Sequence, residues 1–528
     1  MIRTRDPRQL ILPGFDWPFH TALDKNNRWV KLSGCIPWDD LAEAYHGSLS
    51  STHGRPAKDA RLVIGAVIIK HKQGVSDRET VAQIQENPYL QYFVGLPGYQ
   101  MQAPFAPSLL VEIRKRMGAN VFDAFCDAVI QAVDRAKSKR SKPTANQDQS
   151  TDSPSPPSSE QQHSDPATET AQQSSDEVPK GKLIVDATVA PQAIRFPTDL
   201  GLLNEARQCS EAIIDQLYPT TELTQKPRTY RQKARRDYLS VVKQKRPGAK
   251  RLRRGIKQQL QYLRRNLQHI ENLLNHLPAN GPLPLSNRLL HRYWVIQQVL
   301  TQQWEMFCSG QRRCDDRIVS ISQPYVRPIV RGKADKPVEF GAKLNVSLTG
   351  DGIARVDHLR WDAFHEGCDL PAQVEAYRQR YGHYPEVVIG DTLYGSRDNR
   401  RYLKQRGIRF AGKLLGRPRK ITETNRDELK QLKAQRKQEY RQRIPIEGKF
   451  GQGKSGYGLS YIRAKRADTS AAWINSIFMV MNLLTLLKVF CALIKRAWIR
   501  AIEVLYKRVW KLATIYAYFV QSSFLSRL

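Results

Sequence analysis

Cysteine is scarce and scattered. The chain holds seven in 528 residues, with no Cys-x-x-Cys pair. An odd, widely spaced set argues against a disulfide framework or a zinc site, and it fits a reducing compartment. Acidic residues are the second shortage: Asp and Glu number 50 against 84 Lys and Arg, a net charge of +34. That imbalance implies a polyanionic partner, nucleic acid before an anionic membrane surface. The N-terminus, MIRTRDPRQLILPGFDWPF, lacks a long apolar core, so no secretory signal is expected. One apolar run, residues 473–494, has the length of a membrane span. It contains Asn475, Asn482 and Lys488, and further Lys and Arg follow through Arg508. The expectation is a buried helix followed by a basic amphipathic tail, in a cytoplasmic protein without a membrane partner.

With 41% hydrophobic residues, a chain of this length supports two or three domains with sizeable cores. Residues 1–136 read as an all-α N-terminal domain. Residues 59–72 suit a buried helix. Ser76 and Glu79 form a capping box for the next helix, and Asn87-Pro88 stops it. Two helices joined at Gln73-Gly74-Val75 fit a helix-turn-helix, with Lys70, Lys72 and Arg78 offered to phosphates; a plain helical bundle fits the same residues. His53 and His71 read as surface residues. Residues 137–180 are rich in Ser, Gln, Pro and Thr, and 148–177 carry acids but no Lys or Arg. Such a segment buries too little apolar area to offset its chain entropy, so a disordered acidic linker is expected.

Residues 181–472 read as a mixed α/β catalytic domain. Its first strand is 182–190. A helical insertion at about 198–310 follows, with Asp237 the only acid between 226 and 265. Pro247-Gly248 divides this basic stretch into two helices. Leu252, Ile256, Leu260, Leu263, Leu267, Ile270 and Leu274 form one packing seam. The opposite face is either a phosphate-tracking surface or a solvated one. Residues 289–307 read as a helix and 317–326 as a strand. Residues 338–348 and 353–361 form a hairpin across Thr349-Gly350-Asp351-Gly352. Then come a helix (369–381), a strand (386–389), a helix (396–406) and a last strand (409–413), the pattern of a mixed sheet. A charged helical connector, 417–440, follows, and residues 473–528 form C-terminal apolar and basic helices.

Three stretches carry chemistry. In QEYRQRIPIEGKFGQGKSGYGL, residues 438–459, Tyr440, Arg443, Glu447 and Lys454 recur at intervals of three, four and seven. Those intervals return to nearly one helical face. One carboxylate among cations suits a metal ligand beside a phosphate backbone; a solvated basic helix start fits too. Pro445 belongs in a first helical turn, so Tyr440 and Arg443 precede the helix that bears Glu447. In KLIVDATVA and EVVIGD, Asp186 and Asp391 lie on or just after apolar strands, where Asp is costly unless paired or metal-bound; either one alone also fits an N-cap or turn residue.

These motifs resemble the DDE transposases of bacterial insertion sequences, in the group named after insertion sequence five. The resemblance rests on VDATVAP around Asp186, VIGDTLYGSRDN around Asp391 and the Tyr440, Arg443, Glu447, Lys454 signature. It extends to residues 337–348 and to 53–96. It implies an RNase H-like catalytic fold and a domain at 1–136 that binds the element's ends. It implies that Asp186, Asp391 and Glu447 hold two Mg²⁺ ions, with Mn²⁺ able to substitute, for strand cleavage and 3′-hydroxyl strand transfer. Tyr440, Arg443 and Lys454 would bind DNA. The expected partner is double-stranded DNA, as transposon ends and target, engaged by a homodimer in the bacterial nucleoid. The polar cluster Asp362, His365, Glu366 and Asp369 is expected to serve turns and caps. Three rival classes remain: a DNA-binding protein without catalysis, a plain metal-dependent nuclease, and a membrane-surface protein. Cleavage, joining and detergent-free solubility separate them.

Overall fold

The computed structural model describes residues 23–50, 56–138, 179–278, 281–330, 338–412, 415–416 and 422–525. Most of the expected acidic linker, residues 139–178, lies outside the described residues, as does His53.

Among the described residues, seven helices form the N-terminal bundle: α1 (Arg28–Cys35), α2 (Trp38–His46), α3 (Ala60–Gln73), α4 (Asp77–Glu86), α5 (Pro88–Phe93), α6 (Leu109–Arg116) and α7 (Ala119–Ser138). α3 is apolar on all sides and therefore takes the centre, with Ile64, Ala66, Ile68 and Ile69 fully buried. The Asp59 side chain caps its start, and Gly74 ends it in the left-handed region at φ 70°. Ser76 caps α4 by accepting from the Glu79 amide, half of the expected capping box; the Glu79 carboxylate accepts from Gln83 at 2.9 Å instead.

Two expectations fail here. Lys70 is not offered to phosphates. It is 2% exposed, pairs with Asp77 at 2.8 Å and lies 4.1 Å from the centre of the Trp473 ring. Arg114 grips the same carboxylate at 3.0 and 2.5 Å. His71 is buried with its edge against Trp473, not on the surface. Both residues lie on the central helix, whose last turn meets a tryptophan some 400 positions later; nothing local signals that contact. Lys72 and Arg78 are exposed.

One mixed sheet organises the second half. Its strands are β1 (Lys182–Pro191), β2 (Arg327–Val330), β3 (Val338–Leu348), β4 (Ala354–Arg360), β5 (Val387–Ile389) and β6 (Arg409–Phe410). The order is β2-β3-β1-β5-β6, with β4 also paired to β3. β1 runs antiparallel to β3 and parallel to β5, and β5 runs parallel to β6. Gly341 lets β3 approach β1: a Cβ there would stand 2.1 Å from the Ala190 carbonyl oxygen. Residues 317–326 are not a strand. Ile318 and Ile321 are buried in the insertion's core as irregular chain, and pairing begins only at Arg327. The side chains satisfy burial there without a ladder partner.

The remaining helices are α8 (Asp199–Leu217), α9 (Arg231–Val242), α10 (Ala249–Asn275), α11 (Asn287–Ser309), α12 (Leu370–Tyr381), α13 (Arg397–Gln405), α14 (Arg426–Arg441), α15 (Ile444–Gly456) and α16 (Ala467–Leu525). Leu183 and Val185 of β1 pack on the face covered by α12 and α13. Ile184 faces α15 and α16. Helices α8 to α11 enclose their own core. In α10, Leu260, Leu263 and Ile270 are buried as the seam predicts, whereas Leu252 is exposed.

α16 serves two cores. Ala472, Met479, Val480, Leu483 and Leu486 complete the N-terminal bundle. Ile474, Ile477, Phe478 and Met481 complete the face of the sheet. Among the described residues, the part of α16 from Ala467 to Arg500 is the one helical segment long and apolar enough to cross a membrane, by length and composition alone. Its first turns are buried within the protein, and Trp498, Ile502, Leu505 and Trp510 are exposed further on.

Candidate active site

Period-two alternation puts Asp186 on the same face of β1 as Ile184, towards α15. Register then brings in Asp391. Ile184 pairs with Ile389 across the parallel β1–β5 ladder, and each Asp lies two residues further on. Adjacent strands are about 4.8 Å apart, so the two carboxylates project from neighbouring strands at one level. Asp391 ends β5 and caps the following turn, accepting from the Thr392 amide at 2.6 Å. Burial pushes the Asp186 carboxyl up to about 6. The Ala187 amide and Arg443 pull it down, and Asp391 and Glu366 push it further up. A buried acid beside a second acid is poised to take up a cation.

The third carboxylate arrives on α15, which starts with Pro445 in its first turn as the sequence predicts. Tyr440 lies in the last turn of α14, Arg443 precedes the first residue of α15 without a side-chain cap bond, and Glu447 lies one turn on. Arg443 connects the acids: it donates to Asp186 Oδ2 at 3.0 Å and to Glu447 Oε1 at 2.5 Å. The Asp186 and Arg443 side chains are 12% and 15% exposed, whereas Glu447 is 51% exposed. Burial disfavours the Arg443 charge, but Asp186, Glu447, Tyr440 and Asp391 outweigh it, so its pKa is raised.

A single planar cation thus bridges two of the three predicted acids and feels the third. Among the described residues, no group of three or more His, Cys, Asp or Glu side chains is gathered closely enough to hold a metal ion. The guanidinium occupies the space between Asp186 and Glu447. It also serves as a stand-in ion for the fit: the donors are all carboxylate oxygens, already converging on positive charge, which suits a hard divalent cation.

Beside Asp391 opens a groove of about 610 Å³ lined by Thr392, Gly412, Arg436, Lys437 and Tyr440. Its wall is held in place by Glu439 of α14, which is buried and pairs with Arg409 of β6. The Tyr440 ring is exposed, with the Arg443 guanidinium 5.2 Å from its centre. Lys454 is half-buried in the last turn of α15. Tyr440, Arg443 and Glu447 therefore gather around one site, with Lys454 farther along the same helix.

Asn345 and Lys449 were not singled out from sequence, and Glu366 and Asp369 were expected only in turns and caps, whereas Asp369 makes no side-chain cap bond and both reach strand β3. Asn345 of β3 is fully buried; it accepts from Tyr394 at 2.5 Å and donates to Asp369 at 3.3 Å. Glu366 pairs with Lys343 at 2.9 Å, and it raises the Asp186 carboxyl from close by. The signal was present: Asn345 is an amide inside a strand, between the apolar Leu344 and Val346. Lys449 is buried and donates to Gly352 O at 3.0 Å and to Thr485 Oγ1 at 2.9 Å. It fastens α15 to α16 and to the β3–β4 turn, and so sets the height of Glu447. Burial pushes its ammonium down to about 8.

Acids on adjoining parallel strands, a third on a helix laid across them and a cationic groove alongside are the equipment of an enzyme that works on phosphodiesters. Comparison with known proteins narrows the class. Residues 18–116 match the family model described as Transposase domain (DUF772), and residues 388–484 match the Transposase DDE domain. The second match contains Asp391, Tyr440, Arg443, Glu447 and Lys454; Asp186 lies before it. An "Uncharacterized protein ORF8 in nfe locus" of Rhizobium meliloti is 31% identical over 179 residues, 34% of this chain and 69% of that protein. No solved structure matches. The chain belongs to the DDE transposases. It is a DNA transposase, of a family that normally uses divalent metal ions.

Proposed function

We propose that this transposase nicks DNA at the ends of its insertion sequence and joins the freed 3′-hydroxyl to target DNA. In this reading Asp186, Asp391 and Glu447 are the metal ligands, with Mg²⁺ preferred and Mn²⁺ able to substitute. The single observation that carries it is Arg443 held between Asp186 and Glu447, with Asp391 level with Asp186 on the next strand. The strand order outward from β1, with β3 and β4 on one side and β5 and β6 on the other, supports an RNase H-like sheet.

Bound divalent cations supply charge stabilisation at the attacking and leaving oxygens and lower the pKa of the attacking water. The chain's own groups do the rest. Asp186 is buried and fixed on a strand, so it anchors the site. Glu447 is exposed and on a helix, so it can close over a strand of DNA. Arg443 leaves the acids for a backbone phosphate, a bidentate acceptor of the same shape as a carboxylate. Lys454 holds a flanking phosphate, and Tyr440 lines the groove where the strand passes Asp391. The N-terminal bundle, with α3 and α4 across the Gly74 turn, binds the terminal repeats. Two protomers act on paired ends in the bacterial nucleoid, without a membrane partner.

The test is Mg²⁺-dependent nicking of a duplex carrying the element's end. Asp186→Asn should abolish nicking while leaving duplex binding intact. Full nicking by that variant would overturn the assignment. Release of nicked ends without strand-transfer products would reduce the reading to a nuclease.

A further inference from the structure

The helical insertion carries a second basic surface that the catalytic centre does not use. Helix α9 packs through Ala234, Tyr238 and Val241, all buried. Gln259 donates to the Ala234 carbonyl at 3.0 Å, and the Tyr262 hydroxyl donates to Asp237 at 2.8 Å. The one acid of this stretch is therefore turned towards α10. The opposite face of α9 bears Gln232, Arg235, Arg236, Leu239, Ser240 and Lys243 along an open groove of about 390 Å³. At Gln232 and Arg236 it joins a second groove of about 600 Å³, formed with the segment leading into the helix.

Charge on this face is unevenly balanced. Lys226 and Arg231 each reach Asp215 at 2.7 Å. Among the described residues, no acidic side chain pairs with Lys233, Arg235, Arg236 or Lys243, and all four are exposed. At the N-terminal end of α9, the Arg265 guanidinium lies 4.5 Å from the centre of the Tyr230 ring and 5.2 Å from that of Tyr262. Its Nε and Nη2 are buried with no hydrogen-bond partner among the described residues. Buried donors of that kind are rare without a ligand or an ion to satisfy them. Tyr230, which covers them, is 47% exposed and held in the left-handed region at φ 50°. A row of exposed, unbalanced cations matches a row of phosphates.

We propose that this face of the insertion binds the backbone of duplex DNA outside the catalytic centre, as a sequence-independent anchor. Twelve residues of helix span about 18 Å, enough to follow a few consecutive phosphates of one strand. A single-strand platform needs aromatic rings spaced along the groove for base stacking. Here Tyr230 is the one aromatic side chain in the lining, at one end, and apart from Leu239 and Pro227 the remainder is cationic or polar, so the contacts are to backbone.

The inference rests on DNA being the substrate, and its test is kept separate from strand cutting. Full-length protein carrying Lys233→Gln, Arg236→Gln and Lys243→Gln together is titrated with a duplex lacking the element's ends, over a range of NaCl, by fluorescence anisotropy. Each lost phosphate contact removes about 0.9 from the slope of log affinity against log salt, so the slope should become shallower by about 2 to 3. The charge-preserving set Lys233→Arg, Arg236→Lys and Lys243→Arg should restore it. An unchanged slope in a variant with native circular dichroism overturns the proposal. So does failure of the charge-preserving set to restore the slope, or a loss confined to single-stranded DNA. Mg²⁺-dependent nicking by the unaltered protein reports on the other reading: nicking with an unchanged slope sinks the anchor alone, and a changed slope without nicking sinks strand cutting alone.

Discussion

On the proposed metal assignment, Arg443 competes with the ion for the Asp186 and Glu447 carboxylates, and that competition can be measured. The Asp186–Arg443 pair joins two largely buried side chains at 3.0 Å, whereas the Glu447 leg at 2.5 Å ends on a carboxylate half open to water. A charge-assisted hydrogen bond contributes about 1.5–3 kcal/mol. About 2 kcal/mol for the buried leg, and under about 1 for the solvent-screened one, gives about 2–3 kcal/mol opposing entry of a divalent ion. At about 1.4 kcal/mol per tenfold, Arg443→Gln should tighten Mn²⁺ binding by about 30- to 100-fold. The assay is electron paramagnetic resonance titration of Mn²⁺ into full-length protein without DNA. The same variant should nick DNA about 100-fold more slowly, because a donor to the backbone phosphate is gone; a positioning error of this kind costs about that much. Binding and turnover thus move in opposite directions. Mn²⁺ binding that is unchanged or weaker in Arg443→Gln would falsify the idea that the arginine stands in for the ion.

Other outcomes follow from the same geometry. The Asp186 carboxyl, pushed up to about 6, must lose its proton to hold a cation. Mn²⁺ affinity should therefore fall about tenfold per pH unit below 6 and level off above it; a flat profile from pH 5 to about 7 refutes the shift. Asp77 is pushed up by burial and pulled down further by Arg114 and Lys70, with a net lowering. A lowered folded pKa contributes stability above the ordinary Asp range and loses it as pH falls through about 4. Asp77→Asn should cost about 3 kcal/mol at neutral pH, by leaving two buried cations without an acid, and its deficit should shrink in acid; a deficit independent of pH would count against the ion triad. Gly341→Ala would place a methyl 2.1 Å from the Ala190 carbonyl oxygen and should cost more than about 3 kcal/mol in chemical denaturation. A near-neutral result would mean that β1 and β3 pair otherwise.

Local pattern carried the strands and caps a long way. The span from Val338 to Leu348 is the strand that alternation predicts, and Ser76 and Pro445 mark helix starts where capping rules place them. The failures share a cause: burial decided by a distant partner. Residues 317–326 have strand composition but bury Ile318 and Ile321 among the insertion's helices. Lys70 and His71 look available until Trp473 is folded against them. In the site, acids were legible because Asp on an apolar strand is anomalous. The bridging by Arg443 was not, since spacing shows which residues share a face and not which charges touch. Lys449 was hidden for the opposite reason: within a run of cations, nothing distinguishes the one that is buried.

The long helix from Ala467 contributes alternate faces to two cores, one belonging to the bundle and one to the sheet. Neither body can melt, swing or be cut away without tearing open the other. Any DNA gripped by the N-terminal helices is consequently held at a fixed distance and angle from Asp186. The helix acts as a ruler, and the offset between bundle and sheet is set by the stretch from Ala472 to Leu486 that packs into both cores.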